Sequence, residues 1–118
     1  MFGIGGLHGL MAGADTPRER SRYNQRFHFR LYEAASMPTL LAIIETVWVT
    51  IGPLNAYVFE RSRDFFWKQK QRSGQERVHP HIDVLAGLRE QDAKRVRDAI
   101  ERDINEAAQI SLNVLRSA

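Results

Sequence analysis

Apolar residues spaced three and four apart, in runs opened by a proline or a capping side chain, constrain this chain more than any other feature. A helix with one buried face repeats every 3.6 residues and a half-buried strand every two, so this spacing selects helix. In Thr16-Pro17-Arg18-Glu19 the threonine is placed to cap the free amides. Pro17 fills the first helical position, and Glu19 is placed to reach back to the cap. Tyr23, Phe27, Leu31 and Ala34 or Ala35 then follow at helical steps. Pro38 opens a second helix after a break at Ser36-Met37. From Thr39 to Phe59 the chain is strongly apolar, with Leu40, Leu41, Ile43, Ile44, Val47, Trp48 and Ile51. Residues 46–51 alone would suit a buried strand. The length of the run predicts instead a central bundle helix, bent at Gly52-Pro53. Helix is expected to continue from Asp64 to Gln71 and to break at Ser73-Gly74.

A shorter helix is predicted over His81 to Glu90, with Ile82, Leu85 and Leu88 along one side. Gln91-Asp92 forms a tight junction, and Asp92 is a good N-cap for the last helix. There Val96, Ile100, Asp103, Ala107, Ile110 and Val114 alternate steps of four and three. Neither internal repeats nor low-complexity segments interrupt the pattern. The expected architecture is an all-α antiparallel helical bundle.

Composition narrows the function classes. The 118 residues suit one domain, and the absence of cysteine excludes disulfides and thiolate metal sites, in keeping with a cytoplasmic protein. The net charge is +3, but basic and acidic residues interleave, as in Arg18-Glu19-Arg20 and Lys94-Arg95-Val96-Arg97-Asp98. That mixture predicts a solvated helix surface rather than a phosphate-tracking stripe. No apolar run reads as long enough to cross a bilayer, and Met1 to Leu7 lacks the pattern of a signal peptide. The glycines of this opening have no Gly-Lys-Ser or Gly-Lys-Thr after them, so they make no phosphate loop. Residues 1–15 read as a remnant or a partial helix, and 16–118 as the helical domain.

Polar residues on the apolar faces carry the chemical information. Asp103 lies three after Ile100 and four before Ala107, where an ionised carboxylate needs a partner or a cation. Asn24 and His28 stand one turn apart beside Phe27 and Leu31, and His81 lies four before Leu85. Three helices thus offer Asn24, His28, His81 and Asp103 toward an interior. Imidazole, carboxylate and amide oxygen suit a divalent metal such as zinc or nickel. The same groups also suit a cluster hydrogen-bonded to itself or to a buried water. His79, before Pro80, reads as a cap or surface residue, and His8 gives no usable signal. Trp48, Phe59, Phe65, Phe66 and Trp67 read as core or dimer surface before they read as a ligand site. Phe65, Phe66 and Trp67 are consecutive and cannot all point inward.

These motifs resemble the FCD domain, the effector-binding C-terminal half of the FadR subgroup of GntR-family bacterial transcription regulators. The first is Asn24-Gln25-Arg26-Phe27-His28, followed by Leu31, Ala34-Ala35 and Pro38. The second is His81-Ile82-Asp83-Val84-Leu85-Ala86-Gly87-Leu88 running into Asp92-Ala93. The likeness runs from about Leu7 to Leu115. In metal-binding members an Asp and three His project into the bundle. By motif position Asn24 takes the place of that Asp, His28 and His81 match two of the histidines, and Asp103 stands at the last. The resemblance implies a homodimer with a small-molecule effector, a carboxylate by expectation, bound through a zinc or nickel ion. It implies no catalysis. DNA would be contacted only through a separate DNA-binding domain, and the helices that usually open the family domain are expected to be missing. Two other readings remain: a small helical metalloenzyme, and a metal-free dimerisation domain.

Overall fold

The computed structural model describes residues 3–73 and 79–117, with the side chains at 59 and 62–73 outside that description. Among the described residues all regular structure is helical: α1 (Ile4–Ala12), α2 (Pro17–Ala34), α3 (Pro38–Ser73), α4 (Pro80–Arg89) and α5 (Ala93–Arg116). The chain forms two compact units, Met1–Glu60 and Arg61–Ala118.

In the first unit the glycine-rich opening is helical, and Leu7 and Met11, one turn apart, are buried as α1 packs on α2. Thr16 caps α2: its Oγ1 accepts from the Glu19 amide at 3.1 Å, and Pro17 follows at the first helical position. Phe27 is the fully buried anchor of α2, with Tyr23 and Leu31 half-buried above and below it. Ala34 and Ala35 are exposed, because the helix ends there in a turn through Ser36 at φ 55°.

α3 begins at Pro38 as expected and remains helical through Pro53. Most of its apolar residues divide between two adjacent faces, while Val49, 79% exposed, lies apart from both. Leu41, Ile44, Trp48 and Ile51 are half-buried and Val58 is buried. Leu40, Ile43, Val47 and Leu54 are exposed, Ile43 by 58% and Val47 by 50%. At about 100° per residue these four fall within about 60° of one another, a single apolar stripe. Part of the apolar surface of this predicted bundle helix is therefore exposed among the described residues. Pro38–Val58 is also long and apolar enough, by length and composition, to cross a membrane. That corrects the reading that no such run exists.

The second unit is organised by the α4–α5 hairpin. α4 ends in a Schellman turn: the Asp92 amide donates to the Gly87 carbonyl at 2.9 Å and the Gln91 amide to that of Leu88 at 3.3 Å. Gln91 takes the left-handed conformation this turn requires, at φ 53°. Asp92 then caps α5, its Oδ1 accepting from the Arg95 amide at 3.1 Å. The inner face of α4 is His81, Val84, Leu85 and Gly87, while Ile82 and Leu88 are exposed. The expected Ile82-Leu85-Leu88 face is rotated because α5 approaches closest at Gly87, where a Cβ would lie 2.8 Å from Val96 Cγ2. On α5, Ala99 and Val114 are buried and Val96, Ile100, Asp103 and Ile110 half-buried. Ala107, expected inside, is exposed, and Glu106 is half-buried in its stead.

Candidate metal centre

In the first unit α2 positions Asn24 and His28. The burial of Phe27 fixes the rotation of the helix, which turns the adjacent His28 inward and leaves Asn24, one turn earlier, half-buried. His28 Nδ1 lies 3.1 Å from the Tyr32 hydroxyl, its neighbour at the next turn. The Trp48 ring of α3 stands 6.0 Å from that of His28, and 5.6 Å from that of Phe29. The Tyr32 hydrogen bond and the neighbouring aromatic rings limit the rotation of the imidazole.

In the second unit the start of α4 does the positioning. His79 is the N-cap, as its place before Pro80 suggested, and its Nδ1 accepts from the His81 amide at 3.1 Å. The two imidazoles meet edge to face with centroids 4.3 Å apart. His81 is 0% exposed, and its Nε2 lies 3.0 Å from Asp103 Oδ2 on α5. This gives the carboxylate on an inner face the hydrogen-bond partner that its burial demands. The separation also allows both atoms to reach one ion at ligand distances of about 2.0–2.2 Å, once a divalent cation replaces the shared proton.

A different group of charges closes the hairpin on its outer side. Asp83 of α4 accepts from Arg102 at 2.6 Å and Arg95 at 3.2 Å, both on α5, and Arg95 also pairs with Glu90 at 2.9 Å. Hydrogen bonds from Arg102 and then Arg95 hold the Asp83 carboxyl below its ordinary value of 3.8. Each acid here meets a guanidinium, and the cluster clamps one helix to the other.

Sequence reasoning placed His81 and Asp103 each on an inner helix face, without pairing them, and Asn24 and His28 as neighbours on one helix. It missed Tyr32, although the step of four from His28 was there to be read. It also missed the Trp48 ring, which comes from another helix and left no local signal. The Phe59, Phe65, Phe66 and Trp67 side chains lie outside the described residues.

Among the described residues the chain is all-helical, with buried imidazoles on α2 and α4 and a carboxylate on α5. The chain belongs to the FCD family, whose domain model matches residues 7–106. FCD domains are the C-terminal, effector-binding halves of GntR-family regulators and are not a catalytic fold. No curated protein and no solved structure matches the chain.

Proposed function

We propose that residues 16–118 sense a small organic acid through a divalent metal and report its binding as a homodimer. Asn24, His28, His81 and Asp103 are the proposed ligands. Two imidazoles, one carboxylate and an amide oxygen form a set that zinc or nickel accepts. The observation that carries this reading is the buried His81 with its Nε2 at 3.0 Å from Asp103 Oδ2. Asp103 stands where metal-binding members of the family have their last histidine. The Tyr32 hydroxyl on His28 Nδ1 supports the same reading, because it makes Nε2 the nitrogen that would take the metal. When bound, the ion would supply a Lewis-acidic anchor for a carboxylate. The apolar stripe Leu40, Ile43, Val47 and Leu54 supports the dimer: its steps of three, four and seven are those of a helix seam. Effector binding would then shift the dimer between two arrangements.

One observation favours a metal-free reading. Among the described residues no buried side-chain nitrogen or oxygen lacks a partner, so the pair is satisfied as it stands. Elemental analysis of untagged protein, purified without added metal, separates the two. Near-stoichiometric zinc or nickel, lost in His28→Ala and His81→Ala, supports the sensor. Protein without metal, whose melting temperature stays put when zinc or nickel is added, leaves a dimerisation domain with a hydrogen-bonded pair.

A further inference from the structure

We infer that His79 is a positioning residue whose ring, beyond its cap, fixes the buried His81 imidazole with Nε2 toward Asp103. That role rests on the proposed part of His81 as a metal ligand. The backbone at the start of α4 is rigid. His79 is extended, at φ −62° and ψ 135°, the conformation that a following proline favours. Pro80, itself buried, then holds the first helical φ. The His81 amide donates to His79 Nδ1 at 3.1 Å, and the Ile82 amide to the His79 carbonyl at 2.9 Å. The His79 imidazole cannot turn away without losing the first of these bonds, so α4 itself holds the ring in place.

Capping alone does not account for a histidine here. Ser, Thr, Asp and Asn are the preferred N-caps, and this chain uses Thr16 at α2 and Asp92 at α5. What the imidazole adds is a flat ring against that of His81, with centroids 4.3 Å apart and planes inclined at 65°. His81 is fully buried, and its Nε2 meets Asp103 Oδ2 at 3.0 Å. That bond fixes one atom of the His81 ring and leaves the ring free to rock about it. The His79 ring meets the imidazole at a second place and removes this freedom. An asparagine would cap α4 as well but leave that side of His81 uncovered. Neighbours that orient a ligating histidine are worth about 10–100-fold in metal affinity, because the ligand atom is held where the ion needs it.

The test separates cap from ring in the full chain. His79→Asn keeps the cap and removes the ring, whereas His79→Phe keeps a ring and removes the cap. Zinc affinity is read by competition with a chromogenic chelator, the metal alone being the ligand. His81 is followed in metal-free protein, at one fixed pH, by two-bond proton–nitrogen correlation of the imidazoles. The chain has only four histidines to resolve, and His81→Gln assigns the signals. His79→Asn should melt with the parent yet bind zinc about 10-fold more weakly. Its His81 Nε2 signal should broaden as the ring samples further rotamers. His79→Phe should melt about 3–6 °C lower through the lost cap. It should keep the sharp His81 signal and lose less zinc affinity than His79→Asn. Parental zinc affinity and a parental His81 signal in His79→Asn would reduce His79 to a cap and overturn the inference. A larger loss of zinc affinity in His79→Phe than in His79→Asn would overturn it too. A parent that takes up neither zinc nor nickel would sink the metal reading instead. The His81 signal of metal-free His79→Asn then still decides: broadened, it upholds the positioning role, and sharp, it removes it.

Discussion

The α4–α5 hairpin and the N-terminal half of α3 are written with the same helical period but use it differently. In the hairpin a junction at Gln91 and Asp92 reverses the chain within one Schellman turn, so α5 returns at once along the face of α4. Gly87 admits Val96, Val84 is fully buried, and Arg95 and Arg102 clamp Asp83. On α3, Leu40, Ile43, Val47 and Leu54 make an equally regular stripe that nothing among the described residues covers. An apolar period therefore announces that a face is to be buried, while the connection and the partner decide what buries it.

The largest effect is expected where that open stripe is charged. Ile43→Lys with Val47→Lys should convert a dimer to a monomer in analytical ultracentrifugation while leaving helix content unchanged. If the parent is already a monomer, or the variant remains a dimer, the stripe is not the seam. The hairpin should respond inversely, through stability instead of association. Gly87→Ala forces a Cβ to 2.8 Å from Val96 Cγ2 and 3.1 Å from its backbone nitrogen, so it should cost about 1–3 kcal/mol in denaturant unfolding. The same substitution at Gly9 sharpens the contrast. A Cβ there meets nothing within 4 Å, and the change should stabilise α1 by about 0.5–1 kcal/mol.

The smallest effect belongs to the surface clamp. The Asp83 carboxyl is held below its ordinary value of 3.8 by Arg102 and Arg95. A depressed acid stabilises the fold at any pH above its unfolded value and loses that contribution as pH falls through the folded one. Asp83→Asn should therefore lower the melting temperature at pH 7, by an amount equivalent to under about 1 kcal/mol for partly exposed ion pairs. The gap between parent and variant should close as the pH drops below 3.8, and a gap that persists there would assign the loss to packing.

Much of this was legible because helix signals are local. Thr16 caps α2, Pro38 opens α3, His79 precedes Pro80 as a cap and Asp92 opens α5, each within one turn of the residue that announces it. Asp103 could be named as an inner acid because it sits among apolar residues at helical steps. The FCD motifs at Asn24–His28 and His81–Leu88 lie within single helices and identify the family before any fold is seen.

Rotation and partnership were left to the tertiary structure. Sequence spacing admitted Ile82 and Leu88 on the inner side of α4 as readily as His81 and Val84. Only the close approach of α5 at Gly87 chose between them, because a missing Cβ matters where another backbone comes near. It likewise placed Ala107 inside, whereas the structure exposes it and leaves Glu106 half-buried. The bond from His81 to Asp103 joins residues 22 apart in sequence, and the contact of Trp48 with His28 joins two helices. Periodicity determines which side of a helix is apolar, from the chain's own chemistry. Which neighbour meets that side, and at what angle, depends on steric fit between segments that share no local signal, and so it was decided only when the helices packed.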